Sequence, residues 1–180
     1  MSANTITNHT TQNLSHKRTL YLSTTALFAA MICIMTAYIF HIPTGINGGY
    51  IHLGDAVIYL AAALLPTPYA MAAGAIGGAL ADLLTAPAWA PATLIIKMLI
   101  ALPFTSKKEK IVTKRNVFAL FLGTAITIFG YFIAEGIMFG TWAAFIPSAI
   151  GNLIQGAGSG VVFLFFGSAL DKMNFKKKFM

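Results

Sequence analysis

Apolar residues in this chain neither alternate nor keep to one helical stripe; they run in blocks. Six blocks fall at residues 20–40, 52–65, 69–85, 92–104, 116–139 and 147–170. A helix that is apolar on all sides is surrounded by nonpolar matter. A spanning helix needs about 20 such residues. The pattern therefore predicts an all-α membrane protein with six transmembrane helices. Blocks 52–65 and 92–104 are short for a hydrocarbon core of about 30 Å. They either start below the surface or follow loops that fold back into the protein. Irregular backbone at that depth must be buried in protein or line a cavity, which singles out the loop at 41–51. Pro66-Thr67-Pro68 makes a tight turn, because proline cannot continue a helix. Pro87 and Pro91 bracket a small loop holding Trp89.

The segments outside the blocks are different in kind. Residues 1–19 are rich in Thr, Asn and Ser and read as a mobile polar N-terminal tail. Residues 20–170 form the membrane domain, and 171–180 a basic C-terminal tail. The first block is too long for the apolar core of a signal peptide and is read as a retained span.

Composition sharpens this picture. Of 180 residues, 57% are hydrophobic and 9% charged. Soluble domains carry about 25% charged residues, and disordered chains need low hydrophobicity, so both classes are excluded. No room remains for a soluble catalytic domain. The net charge of +7 comes from three basic clusters: Lys17-Arg18, then Lys107 to Arg115, then Lys172 to Lys178. Six spans place all three on one side, and the positive-inside rule makes that side cytoplasmic. Both termini are then cytoplasmic, and the chain is a multi-pass protein of a bacterial plasma membrane. The loops at 41–51, 86–91 and 140–146 hold no Lys or Arg and face outward. Membrane topology accounts for the basic clusters better than nucleic-acid binding.

Ionisable residues within the blocks are few: Asp55, Asp82, Lys97 and Glu135. Each costs about 2.5–3.5 kcal/mol at a helix centre on the insertion scale. All lie toward the outward ends. Asn47, Tyr50 and His52 sit in or beside the first outward loop, Trp89 in the second and Trp142 in the third. Tyr131 lies on outer span 5, and Asn152 and Gln155 on outer span 6. Tyr131 and Glu135 share a helix face, as do Thr93 and Lys97, and Asn152 and Gln155. The asymmetry predicts one polar cavity opening outward. Plainer roles exist for each residue. Asp55 fits a cap for span 2, and Asp82 fits an ion pair with Lys97. Glu135 fits the interface beyond the hydrocarbon, and Trp89 and Trp142 an interfacial belt. Asn152 and Gln155 fit helix-joining hydrogen bonds.

Several chemistries lack support. His41 and His52 show no metal-ligand spacing such as H-x-x-x-H, and no Gly-Lys pair exists to build a Walker A loop. There is no G-x-S-x-G nucleophile elbow. The chain reads as no enzyme, with no cofactor and no metal. Cys33, the single cysteine, excludes an internal disulfide. Gly74-x-x-x-Gly78 on span 3 and Ala26-x-x-x-Ala30 on span 1 let helix backbones approach closely. For the alanine pair, internal packing and a partner surface fit equally well on spacing alone.

Three segments carry a family resemblance: Gly48 to Val57, Gly74 to Leu84 and Pro91 to Lys97. With six spans and this length, the chain resembles the substrate-binding S components of energy-coupling factor (ECF) vitamin transporters. Within them it is most similar to the subgroup holding the predicted hydroxymethylpyrimidine component and the riboflavin-type relatives. The resemblance implies vitamin binding at the outer side, under the first loop. It also implies partners: one transmembrane coupling protein and two ATPases, with Ala26 and Ala30 facing the coupling protein. Pocket chemistry favours a flat ring vitamin such as hydroxymethylpyrimidine or pyridoxine. Trp89, Tyr131 and Trp142 would stack it, and Asp55, Glu135, Asn152 and Gln155 would bond it. Lys97 would instead suit the carboxylate of pantothenate, unless Asp82 neutralises it, and riboflavin needs a larger cavity. Outside the family, a self-sufficient homo-oligomeric transporter and a ligand-free membrane scaffold are the rival readings.

Overall fold

The computed structural model describes residues 3–43, 50–140 and 145–179. Helix α1 spans Ala3–Ala37, and a short hairpin follows, β1 (Ile42–Pro43) and β2 (Tyr50–Ile51). Then come α2 (Gly54–Leu64), α3 (Thr67–Thr85), a 3-10 turn (Pro87–Trp89) and α4 (Ala90–Leu99). Helices α5 (Lys114–Phe139), α6 (Phe145–Lys172) and α7 (Phe175–Phe179) complete the chain. The six longer helices sit where the six apolar blocks lie. Among the described residues, three are long and apolar enough to cross a membrane: Leu14–Ala37, Lys114–Phe139 and Ile146–Lys172. Helix α1 begins at Ala3 and so runs back across the polar segment read as a tail.

The helices close into a ring. Neighbours around it are α1, α3, α4, α5, α6 and α2, which returns to α1. Helix α2 also packs across the ring against α3 and is buried at every residue but Leu60. Eleven residues rise only about 16 Å, which places α2 inside the bundle as a short apolar pillar. Large apolar side chains on α1, α5 and α6 point outward, among them Leu27, Ile34, Phe121, Phe129, Ile137, Val161 and Phe165. An apolar surface of that extent marks contact with lipid or protein.

Small residues set the helix spacing. A Cβ on Gly74 would lie 2.5 Å from the Lys97 carbonyl oxygen, and one on Gly78 would lie 2.8 Å from Lys97 Cγ. One on Gly77 would lie 2.5 Å from the Ala29 carbonyl oxygen. Helix α3 therefore touches α4 and α1 nearly backbone to backbone, and the Gly74-x-x-x-Gly78 pair is spent on internal packing.

The end of the bundle nearest the basic clusters is tied down by hydrogen bonds. The Thr113 hydroxyl caps α5 by accepting the Asn116 N–H at 3.2 Å. Asn116, fully buried, accepts the Thr105 N–H at 2.9 Å and donates to the Thr105 and Ile111 carbonyls at 3.1 and 2.9 Å. Asp171 accepts the N–H groups of Ile111 and Val112 at 2.7 and 3.0 Å. Lys176 of α7 donates to the Ala63 carbonyl at 2.7 Å and closes the foot of α2.

Candidate functional site

The hairpin folds back over the other end of the bundle, above α2. The Tyr50 hydroxyl donates to Asp82 Oδ1, which fastens β2 to α3. His41 stacks on the other side of Tyr50, with ring centroids 4.0 Å apart. Burial, with the Asp82 charge added, pushes the Tyr50 phenol well above its usual range, so it remains a donor. Gly54 opens α2 directly behind the hairpin; a Cβ there would collide with the Thr36 hydroxyl.

A cavity lies between the hairpin and the ends of α1, α3, α4, α5 and α6. Seven residues predicted for the site line it: Tyr50, His52, Trp89, Tyr131, Glu135, Asn152 and Gln155. Asp82, Thr36, Thr93, Ser148 and Gly151 line it as well, although sequence reasoning did not assign them to the site. For Asp82 the signal existed, an acid in an apolar block. Thr93 carried a signal as well, since it shares a helix face with Lys97, whereas Thr36 and Ser148 are ordinary helix residues that nothing in the sequence separates from others. Asn47 and Trp142 lie outside the described residues.

Aromatic and polar groups share the walls. Trp89 meets Tyr131 edge to face, with centroids 5.7 Å apart. The Tyr131 hydroxyl bonds Thr93 at 2.8 Å, which fixes the ring against α4. Trp89 is buried, so it is part of the protein interior rather than of an exposed belt. Glu135 is likewise buried, at 3% exposure, and is not an exposed interfacial carboxylate. Asn152 donates to the Ser148 carbonyl at 3.0 Å, within its own helix.

Asp55 and Lys97 do not line the cavity; they sit beneath it. Lys97 Nζ meets Asp55 Oδ1 at 2.6 Å, with both side chains 1% exposed. This corrects the expected Asp82–Lys97 pair: the lysine crosses to α2, and Asp82 takes the tyrosine. Asp55 makes no side-chain cap bond, the N-cap of α2 being Leu53, but it does lie in the first turn of that helix, where a carboxylate is favoured. Gln155 Nε2 donates to the second Asp55 oxygen at 2.9 Å, and Gln155 Oε1 accepts the His52 N–H at 3.3 Å. The network joins α2, α4, α6 and the hairpin through one buried carboxylate. Lys97 Nζ also lies 5.5 Å from the Tyr131 ring centroid. Among the described residues no group of His, Cys, Asp and Glu is arranged to hold a metal ion.

The pocket thus combines aromatic and polar wall residues with a buried polar network beneath it, inside a ring of largely apolar helices. Residues 16–172 match the family model for the S component of the ECF-type riboflavin transporter. The chain belongs to this family of transporter S components. It is also similar to a Pyrococcus woesei protein described as an uncharacterized protein in the gap 3′ region. The two are 29% identical over 136 residues, covering 71% of this chain and 91% of that protein.

Proposed function

We propose that the protein captures a small ring-containing vitamin or precursor in this cavity from the outer face. It delivers the ligand inward when joined to an ECF coupling protein and two ATPases. The observation that carries this reading is the wall composition. The aromatic side chains of Trp89, Tyr131 and Tyr50 line it together with hydrogen-bonding groups on Asp82, Glu135, Asn152 and Gln155. Aromatic walls provide large rigid contact area at low conformational cost, and a few convergent polar groups give orientation. Hydroxymethylpyrimidine or pyridoxine suits such walls. Pantothenate loses its natural partner, because Lys97 is already bonded to Asp55. Riboflavin is the second reading, supported by the riboflavin transporter description of the matching family.

In this reading all six longer helices lie within the bilayer and both termini are cytoplasmic, which puts the Lys and Arg clusters inside. Residues 20–170 are the binding domain. The coupling protein docks on α1 at Ala26 and Ala30, both of which face outward from the bundle. Coexpression tests the proposal. Radiolabelled vitamin uptake in a transporter-deficient host should require the coupling module together with this chain. Uptake by this chain alone would instead establish a self-sufficient homo-oligomeric transporter.

A further inference from the structure

We infer that the buried Asp55–Lys97 pair is a positioning device: it holds the Gln155 carboxamide in one orientation on the cavity wall and so sets what that residue offers a ligand. The inference rests on the capture reading and adds to it two residues that do not line the cavity. Stability does not account for the pair. Each charge is costly within a span, and well-packed apolar side chains are often as stable as a buried ion pair. What the pair touches is the floor of the site. Asp55 Oδ1 accepts from Lys97 Nζ at 2.6 Å, and Oδ2 accepts from Gln155 Nε2 at 2.9 Å. At the other end of the amide, Gln155 Oε1 accepts the His52 N–H at 3.3 Å.

The two ends of the amide meet partners of opposite kind. An ion-paired carboxylate only accepts, and a backbone N–H only donates. Turning the amide over would set Oε1 against Asp55 and Nε2 against the His52 N–H, leaving both buried bonds broken. Lys97, a donor with no acceptor of its own, keeps Asp55 in its accepting form. The amide is therefore locked from two elements, α2 and the chain just past β2. Asn152, the other carboxamide on the wall, shows the contrast: its Nδ2 donates to Ser148 of its own helix at 3.0 Å, and among the described residues no second element fixes it. Gln155 lines the cavity. Its Nε2 has a second N–H and its Oε1 a second lone pair, in an order that cannot reverse. A ligand bonded there must match that order. Gln155 is then a specificity-determining residue, and Asp55 and Lys97 act through it.

Asp55→Leu with Lys97→Met replaces the pair by apolar side chains of similar shape. Purified full-length protein in nanodiscs is titrated calorimetrically with hydroxymethylpyrimidine, pyridoxine, pantothenate, riboflavin and thiamine, and SDS unfolding of the same variants is followed in mixed micelles. The compound that binds wild type should bind this variant at least tenfold more weakly, about 1.4 kcal/mol, while unfolding stays near wild type. Asp55→Asn with Lys97→Met, whose amide oxygen can again accept from Gln155 Nε2, should recover about threefold or more. In a Gln155→Met background the apolar pair should change affinity by less than about twofold. Lys97 also lies 5.5 Å from the Tyr131 ring centroid, so a loss that persists in that background acts through the tyrosine and overturns the inference. Wild-type affinity in the apolar-pair variant overturns it as well and leaves the capture reading in place. Binding by no compound overturns both. A ligand-free measurement on native Asp55 and Lys97 covers the case of a poorly folding variant. Gln12 and Gln155 are the two glutamines of the chain, so isotopic labelling of glutamine side chains in Gln12→Asn protein leaves the Gln155 amide as the sole NMR signal of its kind. Its proton on Asp55 should resonate downfield of its place in free glutamine. Both protons at free-glutamine positions overturn the lock.

Discussion

Lys97→Met isolates the Asp55 carboxylate inside the bundle. In the native protein the two groups are 2.6 Å apart and 1% exposed, so neither has water to fall back on. Removing one partner of such a pair typically costs about 3–5 kcal/mol, because the remaining charge is buried without compensation. Asp55 would keep the Gln155 hydrogen bond of 2.9 Å, so about 3 kcal/mol is expected here. Equilibrium unfolding by SDS in mixed micelles, followed by far-UV circular dichroism, reads the loss. Replacing both charges, Asp55→Asn with Lys97→Met, should recover most of the stability, since uncharged replacements of buried pairs are often near neutral. Adding Asp82→Asn to Lys97→Met should recover nothing. Additive losses across the Asp55 and Lys97 cycle, or rescue by Asp82→Asn, would refute the assigned pairing.

Further outcomes follow from the packing and the site. Gly74→Val, whose Cβ would sit 2.5 Å from the Lys97 carbonyl oxygen, should destabilise by about 1–3 kcal/mol or more through overpacking. Unchanged unfolding would mean that α3 and α4 are not in close contact. Trp89→Ala should weaken vitamin binding at least tenfold, about 1.4 kcal/mol, measured calorimetrically, and unchanged affinity would remove Trp89 from the site. Ala26→Trp or Ala30→Trp should leave binding intact and abolish coupled uptake. Equal loss of both would remove the coupling surface from α1.

The positions of the six longer helices were legible because block hydrophobicity depends only on local sequence. The predicted block 116–139 and helix Lys114–Phe139 differ by two residues at one end. The placement of the cavity was also legible, since membrane burial is costly for polar groups and they clustered at one end. The partner of Lys97 was not. Asp55 and Asp82 lie on different helices, and choosing between them requires the rotation of α2 and the close α3–α4 approach at Gly74 and Gly78. Helical spacing says which residues share a face, never which face meets which neighbour. For the same reason Asp55 read as a wall residue when it lies below the floor. The alanine pair on α1 was ambiguous until burial was known, because the same spacing serves an internal or an outward surface.

The central claim is capture of a ring-containing ligand at this cavity, and Trp89 on its wall reports on it directly. The chain has two tryptophans, so Trp142→Phe leaves Trp89 as the sole tryptophan, excited selectively over the tyrosines at the red edge of its absorption. Purified Trp142→Phe protein would be titrated with hydroxymethylpyrimidine, pyridoxine, pantothenate, riboflavin and thiamine, with calorimetry in parallel. Saturable quenching of Trp89 by one compound, matched by a calorimetric isotherm of the same affinity, is the predicted result. A calorimetric isotherm without any change at Trp89 would place the ligand elsewhere and contradict the site. Absence of both signals for every compound would contradict capture of these vitamins by the chain.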